Sequence, residues 1–90
     1  MPQYELTNNF LKDLKKWKRS GKNLEPLEDL LRSIEGGMWP PLAKYEAHLL
    51  TGYLDGIWDI HIRQNWVVLA KFDKETVYLL RMGTHADLGL

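Results

Sequence analysis

The sequence predicts an α+β fold, and three observations carry that prediction. A short strand-like segment opens the chain, apolar residues then recur at helical spacing as far as Gly37, and after Gly56 the pattern changes to period two. Strands and helices that segregate in this way must pack as a helical layer on one sheet face. With 90 residues, 44% of them hydrophobic and 27% charged, the chain has material for one core, and a single domain over 1–90 is expected.

The elements follow in order. Gln3 to Leu6 suits a first strand, and Thr7 or Asn8 can cap a helix whose stripe is Phe10, Leu11, Leu14 and Trp17. Ser20-Gly21 ends it. Asn23 caps a second helix with Pro26 in its first turn, a stripe of Leu27, Leu30, Leu31 and Ile34, and a stop at Gly36-Gly37. Pro40-Pro41 then forces an extended loop. In the second half, Ile57, Asp59 and His61 alternate with Trp58, Ile60 and Ile62, as in a strand with two unlike faces. Trp66 to Phe72 suits a buried central strand, Asp73-Lys74-Glu75 a turn, and Thr76 to Met82 the partner strand. Gly83-Thr84 leads into a short polar tail. The expected sheet is antiparallel, with about three strands beside the first segment.

Charge and composition remove several function classes. Twelve Lys and Arg balance twelve Asp and Glu, which argues against a generic polyanion binder. Without cysteine there is no disulfide framework, thiol nucleophile or Cys-based zinc site. The start of the chain lacks the apolar stretch of a signal peptide and no apolar run has membrane-spanning length, so a cytoplasmic location is expected.

His48, His61 and His85 all fall in the second half. Converging histidines can serve as general base and general acid near neutral pH. Metal-independent RNA cleavage needs that pair, one to take the 2′-hydroxyl proton and one to protonate the departing 5′-oxygen, with a cation on the phosphate. Arg63, Arg81 and Lys71 are candidate cations. No histidine pair has helical ligand spacing, so neither a metal nor another cofactor is expected. Lys12, Lys15, Lys16, Lys18 and Arg19 offer contacts to RNA phosphates or, more simply, the solvated face of the first helix. Trp39, Tyr45, Leu49, Tyr53 and Trp58 lie in or beside loops and strand ends, where they either fill the gap under the loop or form an exposed interface.

His48, Leu50, Gly52, Gly56, Asp59-Ile60-His61-Ile62, Trp66, and Arg81 followed by Gly83-Thr84-His85 and Leu88 together resemble the YafQ-like branch of the RelE toxin family. The resemblance spans nearly the whole chain, including the helical hairpin. It implies a RelE/YafQ-like α+β fold, cleavage of mRNA on the ribosome, a partner antitoxin, and catalytic roles for His48, His61 and His85. Several positions depart from the family pattern. Trp58 stands where the family has Arg, Leu49 replaces Pro, and Gln64-Asn65-Trp66 replaces Pro-Asp-Trp. Ala70 replaces Tyr, and Gly89 replaces an aromatic. Read together, these departures suggest a toxin scaffold, engineered or strongly diverged, that is catalytically impaired and binds a protein through Trp39, Tyr45, Leu49, Tyr53, Trp58 and Ala70. A homodimer through that patch is one form of this reading. The alternative is an active ribosome-dependent mRNA endonuclease inhibited by a cognate antitoxin, with Arg63 or Arg81 on the phosphate.

Overall fold

The structure, a computed structural model, describes residues 3–37, 45–50 and 56–89. Among the described residues eight elements follow one another: β1 (Gln3–Leu6), α1 (Asn8–Arg19), α2 (Glu25–Glu35), β2 (His48–Leu49), β3 (Ile57–Arg63), β4 (Trp66–Asp73), β5 (Thr76–Gly83) and α3 (His85–Leu88). The five strands form one sheet in the order β1-β5-β4-β3-β2. The sheet is therefore larger than expected and mixed. β1 joins β5 in parallel, Gln3 opposite Thr76 and Leu6 opposite Leu79, while the other pairs are antiparallel.

Both helices lie on one face, α1 against β5 and α2 against β1 and β3. The core between the layers contains Phe10 and Trp17 of α1, Leu27, Leu30 and Ile34 of α2, and Ile60, Ile62, Val68, Ala70, Val77, Leu79 and Met82 of the sheet. Leu11 was assigned to the α1 stripe but is 45% exposed. It sits one position round from the Phe10–Leu14–Trp17 line, a rotation of about 100°. α1 begins as its sequence directs, with the Thr7 side chain accepting the Phe10 N–H. The cap of α2 is Leu24 rather than Asn23 and makes no side-chain cap hydrogen bond, while the Asn23 side-chain oxygen, one residue earlier, accepts the Glu25 N–H at 3.0 Å. Pro26 occupies the first turn of α2, where its missing N–H costs nothing.

A bulge on β5 decides what reaches the core. Leu69 is opposite Arg81 and Ala70 is opposite Leu79, so Leu80 is an extra residue. Strict alternation from Val77 and Leu79 would send Arg81 inward. The extra residue turns buried Met82 inward instead and frees Arg81. β1 covers β5 only as far as Leu79, leaving the later edge open. Thr7 and Asp13 close it: the Thr7 hydroxyl is 2.9 Å from the Leu79 carbonyl, and Asp13 accepts the Met82 N–H at 3.0 Å.

Among the described residues, no helix is long and apolar enough to cross a membrane. The short polar tail after Gly83-Thr84 contains the helix α3. Thr84 accepts the Asp87 N–H while the Asp87 carboxylate accepts the Thr84 N–H, a complete capping box, and Gly89 ends the helix at φ 72°.

Candidate active site

The face of the sheet away from α1 and α2 carries the histidines, and strand register brings them there. In antiparallel pairs, residues directly opposite share a face. His48 is opposite Asp59, Asp59 opposite Leu69, and His61 opposite Val67, which is opposite Gly83. The chain then turns through Gly83-Thr84 into α3, whose first residue is His85. The ring centroids of His48 and His61 are 5.6 Å apart, and those of His61 and His85 are 5.1 Å apart.

Gly83 leaves room for the side chain of Asp87. A Cβ there would stand 3.0 Å from the Asp87 Cβ and 3.1 Å from its carboxylate, inside the capping box that holds α3. The carboxyl of Asp87 is held below its usual range, first by the Thr84 backbone N–H and next by the Thr84 side chain.

A fixed set of neighbours surrounds the imidazoles. His61 Nε2 is 3.1 Å from Oδ1 of buried Asp59 and 3.3 Å from Nε2 of His85. Glu46 Oε2 approaches the other ring nitrogen of His61 at 3.6 Å. Asn65 Oδ1 is 3.3 Å from the His85 backbone nitrogen and 3.3 Å from its Nδ1. Beside the pair, Glu46, His61, Ile62, Arg63, Gln64, Asn65 and His85 line an open cleft of about 470 Å³. Asp59, His61 and His85 also bring one potential ligand atom each within 4.8 Å of one another, close enough to hold a single cation.

Arg63 lines the cleft, and its guanidinium makes a long hydrogen bond to the Ile62 carbonyl at 3.4 Å. Arg81 does not line it. Its Nε donates to Asp13 at 2.7 Å, and this hydrogen bond holds the guanidinium above its ordinary value. Among the described residues, the members of the expected aromatic patch are divided between core and surface. Tyr45 and Ala70 are 4% and 0% exposed within the core, and Trp58 packs against the core. Leu49 is exposed, while Trp39 and Tyr53 lie outside the described residues.

Glu46, Asp59 and Asn65 were not singled out as site residues from the sequence. Period two placed Asp59 on the face of His61, which was a usable signal. Asn65 is at φ 58°, in the left-handed region that Asn tolerates well, so it reads first as a turn residue. Nothing in the spacing pointed to Glu46.

The family model described as a bacterial toxin of type II toxin-antitoxin systems, YafQ, matches residues 2–89. The chain belongs to the YafQ toxin family. A curated YafQ relative from Escherichia coli K12, an mRNA interferase toxin, is 29% identical over 84 residues, covering 93% of this chain and 91% of its own length. The crystal structure of YafQ from E. coli BL21(DE3) superposes with a TM-score of 0.87 at 26% identity, covering 98% of both chains. YafQ in the crystal structure of the E. coli DinJ-YafQ complex gives 0.86 at 27% identity, again covering 98% of both.

These findings overturn the reading of an engineered protein-binding domain. Tyr45 and Ala70 of the supposed binding surface are core, and the likeness is to YafQ mRNA interferases, one of them solved with DinJ. At 29% identity to a YafQ toxin, most positions differ, so departures such as Trp58 and Ala70 need no redesign to explain them.

Proposed function

We propose that this chain is a ribosome-dependent mRNA endonuclease, a YafQ-type toxin held inactive by a cognate antitoxin. The observation that carries this reading is the convergence of His61 and His85 beside Arg63 in one open cleft, with the ring of His48 5.6 Å from that of His61. One imidazole takes the proton of a ribose 2′-hydroxyl as that oxygen attacks phosphorus. The bond to the 5′-oxygen breaks, and a second imidazole protonates the leaving oxygen. The products are a 2′,3′-cyclic phosphate and a 5′-hydroxyl. Arg63 is the phosphate cation in this scheme, because Arg81 is committed to Asp13. The antitoxin part of the proposal rests on the likeness to YafQ in its complex with DinJ.

The test is cleavage of mRNA on programmed ribosomes by the folded, purified protein. We expect cleavage that falls about 10²–10⁴-fold in His85→Ala and in His61→Ala, the range for losing a positioned acid or base. A message left intact, or cleaved equally well by both variants, overturns the reading.

A further inference from the structure

We infer that Glu46 is a specificity residue that reads a guanine base in one of the two nucleotides flanking the cleaved bond. This inference rests on the endonuclease reading above.

The chemistry of the cleft sets the question. His61, His85 and Arg63 line it and suit a phosphate, yet Glu46 lines it too and is the one carboxylate among the described residues that do. A carboxylate repels phosphate, so its place there calls for a different ligand group. The backbone that puts it there is strained. Its φ is 43°, in the left-handed region where the Cβ crowds the following carbonyl oxygen. Strain of this kind clusters at functional sites, where the surrounding structure maintains it. The side chain does little for the fold in return. It is 73% exposed, and its approach to His61 Nδ1, at 3.6 Å, is too long for a hydrogen bond. Both carboxylate oxygens therefore keep lone pairs for a ligand.

Position and hydrogen-bonding pattern name that ligand. The Nε2 atoms of His61 and His85 are 3.3 Å apart, and His61 turns its other nitrogen to Glu46. A phosphate seated at the two Nε2 atoms leaves Glu46 one imidazole ring away, where the base of an adjoining nucleotide reaches it. Single-stranded RNA is read through the Watson–Crick edges of its unstacked bases. A carboxylate can only accept there. Guanine presents two donors side by side, N1–H and the 2-amino group, which match the two oxygens. Adenine and cytosine each present one amino group beside a ring lone pair, and uracil presents one N–H between two carbonyls. Each of these three sets an acceptor against the carboxylate.

Two measurements test this, one of them without reference to cleavage. In NMR titrations of the full chain with GMP, AMP, CMP and UMP, GMP should bind about 10-fold more tightly than the others and shift the Glu46 and His61 signals. That is the lower part of the range for a bidentate base contact, as fits an exposed carboxylate. Glu46→Ala should level the four nucleotides. Glu46→Gly, which suits the positive φ, replaces it if the alanine variant does not fold. On programmed ribosomes, with messages that differ only at the two nucleotides flanking the cleaved bond, guanine should raise kcat/KM about 10-fold, and Glu46→Ala should remove that preference. A Glu46 that served only the fold or the His61 ring would lower cleavage of every message alike. That result overturns the inference, as does equal binding of the four nucleotides or a guanine preference that survives Glu46→Ala. Selective GMP binding that vanishes in Glu46→Ala, in a protein that leaves every message intact, upholds the guanine contact and sinks the endonuclease reading instead.

Discussion

Asp13 shows how one side chain settles several problems of this chain together. It accepts Nε and a terminal nitrogen of Arg81 at 2.7 and 3.2 Å and the Met82 N–H at 3.0 Å, all at the stretch of β5 that β1 leaves uncovered. The ion pair ties α1 to the sheet edge and takes Arg81 out of the competition for phosphate. Charge counting in the sequence left Arg63 and Arg81 equivalent, because their difference lies in a partner 68 residues away from one of them. Truncation of Asp13 leaves a backbone donor and a guanidinium without their acceptor. Asp13→Ala should therefore cost about 1–3 kcal/mol. In a chain of this size each kcal/mol moves the thermal midpoint by about 4–8 °C, so calorimetry should show a fall of several degrees. A midpoint within a degree of the parent would mean that water replaces Asp13 at no cost. The hydrogen bond to Asp13 raises the Arg81 guanidinium above its ordinary value, so on its side the pair does not titrate in any working range.

Among the elements, the helices and the β3–β4–β5 hairpins were legible because their signals are local: stripes at 3.6, alternation at 2.0, and turn residues between. The parallel pairing of β1 with β5 was not, since its register links residues more than 70 positions apart and leaves no periodicity. β2 is two residues long and has no pattern of its own. Meeting of the histidines depends on the registers that join β2, β3, β4 and β5, and these carry no periodicity of their own. α3 was readable and was missed: Thr84 followed three residues later by Asp87 is a capping signal, obscured by the brevity of the helix. The capping box makes α3 sensitive to acid. Asp87 is depressed in the folded state, so its contribution is complete above the ordinary carboxylate value of 3.8 and is lost as pH falls through the lower, folded value. The amide signals of Thr84 and Asp87 should stay fixed from pH 7 to about 5 and move only below about 4. Thr84→Ala and Gly83→Ala should loosen the same element, the first by about 1 kcal/mol of lost cap. Because α3 is short and terminal, we expect kcat to fall with little change in the global midpoint; a normal kcat would show that His85 is held without its cap.

At the scale of the molecule, the sheet separates two tasks. One face packs against α1 and α2 and supplies the main core, while the other presents Asp59, His61 and the histidines flanking them. The hairpin joining β3 to β4 links the two sides. Trp66 stacks on Trp17 in the core, with ring centroids 4.6 Å apart, and its neighbour Asn65 meets His85 on the far side. Overall neutrality hides an uneven distribution, since five of the twelve basic residues, Lys12, Lys15, Lys16, Lys18 and Arg19, lie on α1. Lys16, Lys18 and Arg19 in its last turn complement the helix dipole there. A defect confined to the helical layer should therefore lower stability while sparing the chemistry of the molecules that remain folded. Leu30 is fully buried between α2 and the sheet, and Leu30→Ala should cost about 2–5 kcal/mol through lost burial and the cavity left behind. That is a large share of the ~5–15 kcal/mol typical of a folded domain. Urea titration should show the midpoint fall at constant slope. Cleavage measured well below the new midpoint, per mole of folded protein, should match the parent. A kcat that falls in step with stability would show instead that the histidine face depends on core packing beyond the sheet.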